Sequence, residues 1–195
     1  MKVKISLGNT KMGKIPSVSL PPIKSCGNCE ACAKHCYAKR KYIQYPVVKA
    51  AYDNNYELAT NNREQYFNDI REYLKKNKPK YFRWHVAGDI LDLEYLFEMN
   101  RIATEFKKTK FLCFTKMHNI VNEFLEYNEL PINLKIFYSA WLNERILTPK
   151  GVSMARTVNK NDLEHYTGFK CEGNCEQCGF CFEAKNGSTV IFEMH

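Results

Sequence analysis

Apolar residues recur along this chain with two periods, and the switch between them divides it. After Cys36 the spacing is helical. Pro46 is placed to open a helix running to about Thr60, with Val47, Val48, Ala51, Tyr52 and Leu58 on one side. Asn62 is a capping residue for a second helix over Arg63–Asn77, whose apolar stripe is Tyr66, Phe67, Ile70, Tyr73 and Leu74. The period then shortens. Lys80–Val86 reads as a strand closed by Gly88 and Asp89. Asp92 caps a predicted helix over Leu93–Lys107, which buries Leu93, Leu96, Phe97, Ile102, Ala103 and Phe106. Lys110–Thr115 predicts a second strand, Asn119–Tyr127 a helix and Leu134–Ser139 a third strand. Val152–Val158 and Ser188–Phe192 read as further short strands. Residues 1–25, broken by Gly8, Pro16, Pro21 and Pro22, read as irregular.

Strand, helix, strand, helix, strand in succession calls for parallel pairing with crossover connections. The expected fold is therefore α/β: a short, mostly parallel sheet or incomplete barrel with flanking helices. Residues 1–195 are expected to form a single domain, with cysteine-rich, metal-binding loops at 24–41 and 169–185.

Composition narrows the class. At 195 residues and 45% hydrophobic content, the chain can build an ordinary core. No apolar run approaches the roughly 18 residues a membrane span needs. The opening Met1–Ser6 has no hydrophobic signal region. A cytoplasmic location without membrane attachment is expected, and there thiols stay reduced. The formal charge is +8 with thiols counted as neutral. Two thiolate-ligated metal centres would bring it to about +4.

The cysteines change the picture most. Eight of nine lie in two quartets with mirrored spacing, Cys26-x2-Cys29-x2-Cys32-x3-Cys36 and Cys171-x3-Cys175-x2-Cys178-x2-Cys181. The first has the spacing of the bacterial ferredoxin run, although Tyr37 replaces the proline that follows there. Four sulfurs in so short a loop suit a compact inorganic body, so one or two [4Fe–4S] clusters are the expected cofactors, each quartet holding its own or exchanging a cysteine with the other. Zinc is the alternative, with Cys26 and Cys29 pairing with Cys178 and Cys181 as two knuckles. Disulfides fit a reducing compartment poorly. Cys171-x3-Cys175-x2-Cys178 also has the spacing of radical S-adenosylmethionine enzymes. Binding S-adenosylmethionine needs an open iron, however, and Cys181 stands ready to close it. Lys24, Lys34, Lys39, Arg40 and Lys41 flank the first quartet, whereas Glu172, Glu176 and Glu183 flank the second, so the first is expected at the higher potential. Cys113, within a strand, reads as core.

Function in parallel α/β sheets gathers at the carboxyl ends of strands. Those ends carry His85 and Asp89, then Thr115, Lys116 and His118, then Ser139 and Asn143. His85, Asp89 and Lys116 are the candidate catalytic residues, a set able to bind an anion or move a proton. Their bland reading is a core histidine, a turn-capping carboxylate and a solvated lysine. Period-two alternation puts Arg83 and His85 on one face and Phe82, Trp84 and Val86 on the other. Basic and aromatic residues interleave over Tyr37–Tyr42, a pattern that serves nucleic-acid contact or a helix face over core aromatics.

Several stretches together resemble the phage "gene product 88" family. They are Gly13-Lys14-Ile15-Pro16 with Ser19-Leu20-Pro21, and Cys36-Tyr37-Ala38-Lys39. Arg83-Trp84-His85-Val86-Ala87-Gly88-Asp89 is similar to that family's R-x-H-x-x-G-D, and Phe114-Thr115-Lys116 to its Y-T-K. Cys175-x2-Cys178-x2-Cys181 and the final His195 complete the set. Trp84 and Phe114 depart from the family pattern. The resemblance implies a phage origin, hence the cytoplasm of a bacterial host, and a cysteine-bound metal; it implies no particular reaction. The element order also looks like a trimmed radical S-adenosylmethionine barrel, a likeness of architecture alone. The expected function is iron–sulfur cluster binding with redox or radical chemistry, served by a reductase or other electron donor. The alternative is a zinc- or cluster-stapled module that binds nucleic acid without catalysis.

Overall fold

The structure, a computed structural model, describes residues 1–27, 32–142 and 144–194. Cys29, Asn143 and His195 therefore lie outside the described residues. The chain runs β1 (Ile5–Ser6), β2 (Ser17–Val18), α1 (Tyr37–Gln44), α2 (Pro46–Asn61), α3 (Arg63–Asn77), β3 (Tyr81–Trp84), α4 (Leu93–Glu105), β4 (Lys110–Thr115), α5 (His118–Tyr127), β5 (Leu134–Trp141), β6 (Ser153–Val158), β7 (Phe169–Lys170), α6 (Cys175–Cys178), α7 (Phe180–Glu183) and β8 (Thr189–Glu193). Eight strands form one sheet in the order β1-β2-β3-β4-β5-β6-β8-β7. Only the β1–β2 pair is antiparallel.

Local chemistry sets the long elements. The Asn62 side chain accepts from Gln65 N at 3.3 Å to start α3, and Lys78 in the left-handed region ends it. Asp92 caps α4 through Tyr95 N at 2.9 Å. Arg63 donates to both oxygens of Asp92, at 2.9 and 2.7 Å, tying α3 to the start of α4.

The two faces of the sheet differ. One is covered by α2–α5, and Phe82, Trp84, Phe111, Cys113, Ile136 and Tyr138 pack there against Phe67, Tyr95, Met99 and Phe124. The other carries a smaller cluster of Met12, Ile15, Leu112, Phe137, Ala155, Phe182, Ala184 and Val190. Its cover is the amino-terminal leader with α6 and α7. Cys175 N donates to Lys11 O at 3.0 Å, and Lys14 N to Glu176 Oε2 at 2.9 Å. Tyr81 donates to Glu183 at 3.0 Å, and Lys110 pairs with the same carboxylate. The second cysteine loop thus lies on this face, which is helix-free but for the single turns α6 and α7.

Two expectations need correction. The leader is not irregular throughout: Ser17 and Val18 are buried as β2, registered beside Arg83 and Trp84. Backbone bonds continue from Val18 O to His85 N (2.9 Å) and from Leu20 N to Ala87 O (2.9 Å). Nor does His85 share a face with Arg83. Its φ of 55° ends the strand's alternation, so His85 turns toward Tyr95 on the helix side and Val86 joins the opposite cluster. No helix among the described residues is long and apolar enough to cross a membrane.

Candidate functional site

The strand-end residues assemble as a buried polar cluster. Asp89 accepts from Thr115 Oγ1 at 2.6 Å, from Lys116 N at 2.8 Å and from Ile90 N at 2.8 Å, which fastens the end of β3 to that of β4. Burial pushes its carboxyl up to about 6, against the pull of these donors and the Lys116 charge. His85 Nε2 lies 3.0 Å from Tyr95 Oη, which lies 2.6 Å from Tyr66 Oη; Cys113 Sγ is 4.0 Å from His85 Nδ1. Burial, helped by the Arg83 charge, lowers His85 to about 3, so the imidazole is neutral. Lys116 meets Asp89 through its backbone only. Its ammonium donates to Ser139 O at 3.3 Å and lies 3.9 Å from Glu144. Lys116, Met117, His118, Asn119 and Gly27 line a cleft of about 440 Å³ at these strand ends. Chemically, His85 and Asp89 are shielded from any solute as the chain stands, whereas Lys116 borders open space.

The described flanks of the first cysteine loop, Gly27 and Cys32–Tyr37, reach the same end. A Cβ on Gly27 would stand 2.8 Å from Met117 Cε. His35 stacks on Trp141 at 5.9 Å. Tyr37 is an exposed ring whose Oη donates to Val86 O at 3.0 Å; desolvation of that hydroxyl end raises the phenol, with Arg83, Cys36 and Cys26 all within electrostatic reach.

Val86 belongs to the cluster on the helix-free face, where Cys171, Cys175 and Cys181 also pack. Cys171, Cys175 and Cys178 all act on the Cys181 thiol, which burial pushes up to about 12; burial likewise raises Cys175. Cys36, Cys113, Cys171, Cys175, Cys178 and Cys181 are free thiols. The expected metal-binding sets are not closed, however. Among the described residues no three His, Cys, Asp or Glu side chains converge on a position for a metal ion. Zn–S bonds of about 2.3 Å would require the sulfurs almost in contact. Here α6 carries Cys175 and Cys178 at its two ends, and Cys178 faces solvent.

Arg83 makes this face more than a set of thiols. Its guanidinium lies 4.5 Å from the centre of the Phe114 ring, in the cluster that packs Cys171, Cys175 and Cys181. Its Nε is buried without a hydrogen-bond partner. A buried, unmatched guanidinium N–H on the face that packs Cys171, Cys175 and Cys181 is what an anionic, thiolate-bound group would complement. The sequence carried one signal for it: a charged residue between Phe82 and Trp84, both fully buried. The Tyr66–Tyr95–His85 chain had no such signal.

A family model, "Gene product 88", matches residues 2–184. The chain belongs to the Gene product 88 family. Among its relatives, the "Gene 88 protein" of Mycobacterium phage D29 is 26% identical, over 95% of this chain and 89% of that protein. That of Mycobacterium phage L5 is 25% identical over the same shares. The bacteriophage connection expected from the motifs therefore holds. No solved structure matches, so the likeness to radical S-adenosylmethionine barrels gains no support. Both cysteine loops fall at least mainly within the matched family span, as do His85, Asp89, Lys116 and Arg83.

Proposed function

We propose that this Gene product 88 protein is an iron–sulfur protein acting in the cytoplasm of a phage's bacterial host. One or two [4Fe–4S] clusters would be held by Cys26, Cys29, Cys32 and Cys36 and by Cys171, Cys175, Cys178 and Cys181. The observation that carries this reading is the packing of Cys171, Cys175 and Cys181 in one cluster on the face that carries Arg83, whose buried Nε has no partner. When bound, such a cluster supplies one-electron chemistry. The chain's own contribution is to shield it. Phe114, Phe180, Phe182 and Phe192 exclude water from the inner side of the nest, and the Gly13–Glu176 contact holds the leader over α6. Such a centre takes its electrons from a reductase or other donor. A substrate would enter the cleft beside Lys116, with Asp89 holding the Lys116 amide and His85 holding the strand end behind it.

The test is anaerobic isolation followed by iron and acid-labile sulfide analysis. Brown protein with iron and sulfide in equal amounts is expected; stoichiometric zinc without sulfide would replace the redox reading with a structural one.

One observation favours a second reading, a module that binds nucleic acid. Between Cys32 and Asp53 there is no acidic residue, and Lys34, Lys39, Arg40, Lys41 and Lys49 are exposed beside Tyr37, Ile43 and Tyr45. A mobility shift with short DNA or RNA that weakens as salt rises would support it; no shift at low salt would remove it.

A further inference from the structure

Most arginines with described partners in this chain meet acids or carbonyls. Arg63 pairs with Asp92 and Glu94, Arg71 with Glu98 and Glu105, and Arg101 with Glu98. Arg156 donates to the carbonyls of Leu142 and Glu144. Arg83 is the exception. It rises from the middle of β3 onto the helix-free face, and among the described residues its side chain has neither an ion pair nor a hydrogen bond. Phe114 supplies only a ring face, and the buried Nε is left with an unmatched proton. A guanidinium placed so is unfavourable unless something anionic joins it. The second-quartet thiols Cys175 and Cys181 lie within electrostatic reach of Arg83, and with Cys171 they pack in the same cluster as Phe114.

We propose that Arg83 is the counter-cation of the thiolate-bound group held at Cys171, Cys175, Cys178 and Cys181, and that it holds the reduction potential of that group up. The proposal rests on the iron–sulfur reading. Arg83 offsets the negative charge that a one-electron reduction adds, so its positive charge favours the reduced state. The electron comes from an added reductant such as dithionite; no bond breaks and no proton moves. The acidic flank of Glu172, Glu176 and Glu183 acts in the opposite sense from outside the nest. Those carboxylates are exposed and screened by water and salt, whereas Arg83 is only partly exposed. Arg83 thereby narrows the difference in potential expected from the flanking sequence, by raising the second site toward the first.

The experiment compares wild type, Arg83→Lys and Arg83→Met, all isolated anaerobically as full chains. Three quantities are read: iron and sulfide content, midpoint potential by spectroelectrochemical titration, and thermal midpoint of the chelator-stripped protein. Arg83→Met should keep less iron than wild type or show a more negative potential, while Arg83→Lys, which keeps the charge, stays near wild type. Stripped Arg83→Met should melt above stripped wild type, because it no longer leaves a buried guanidinium N–H unmatched. A merely structural arginine would give the reverse order of melting. An unchanged potential at full iron content in Arg83→Met would overturn the proposal while leaving the iron–sulfur reading intact. Equal loss of iron in both variants would overturn it too, since charge would not be what Arg83 supplies. Wild type devoid of iron and sulfide would bring down the iron–sulfur reading and this proposal with it.

Discussion

Asp89 offers the sharpest test of how the strand ends are held. Its carboxyl is buried and shifted from 3.8 to about 6, because desolvation outweighs three hydrogen-bond donors. The folded chain therefore binds a proton that the unfolded chain has already released between these two values, and stability falls as pH rises from 4 through 6. A shift of this size is worth about 3 kcal/mol. His85 titrates in the opposite sense. Lowered from 6.5 to about 3, it withholds a proton that the unfolded chain takes up, so stability falls as pH drops below 6.5. The two slopes partly cancel in the wild type, and the informative quantity is the difference from Asp89→Asn. That variant cannot ionise, and its amide turns a donor toward either Lys116 N or another of the three donors, which costs about 1–3 kcal/mol. Urea unfolding of both proteins at intervals from pH 4 to 7 should show the wild type's advantage shrinking by about 3 kcal/mol over that range. A difference that does not vary with pH would refute the reasoning and mean that Asp89 stays ionised throughout, dominated by its donors.

Other substitutions probe neighbouring parts. His85→Phe should lose the Tyr95 contact yet unfold less readily than wild type relative to its own neutral-pH stability when taken from pH 6.5 to 4, checked by the same urea series. Gly88→Ala should destabilise by about 1–3 kcal/mol, because φ is 81° and the new Cβ would stand 2.5 Å from Ser25 Oγ and 2.6 Å from Leu20 Cβ. Because Ser25 precedes Cys26, that variant should also hold less iron, measured by elemental analysis. Cys113→Ala should leave iron content unchanged, since Cys113 is a core residue on the helix side, whereas Cys175→Ser with Cys181→Ser should lower it.

The long elements were legible because local signals agree with tertiary burial. Arg63–Asn77 has a cap, an amphipathic stripe and a left-handed stop, and Lys110–Thr115 is a short apolar run bounded by polar turns. β2 was not legible: two residues in a proline-rich leader carry no period, and only pairing with Arg83 and Trp84 makes them a strand. α6 and α7 were hidden too, as each is a single turn, separated by left-handed Gly179. At the strand ends the residue identities could be read but their geometry could not. Asp89 finds Lys116 through a backbone amide, and a positive φ at a non-glycine residue sends His85 to the face opposite Arg83. Alternation presumes extended backbone, and nothing in the residue type announces the exception.

The central claim is that the two thiol quartets hold iron and sulfide. Elemental iron, zinc and acid-labile sulfide measured on one anaerobic preparation tests it most directly. Iron and sulfide in equal amounts, both lost when Cys175 and Cys181 are replaced together with the quartet that contains Cys26, is the predicted result. A folded protein that carries neither, or that carries zinc with no sulfide, would contradict it.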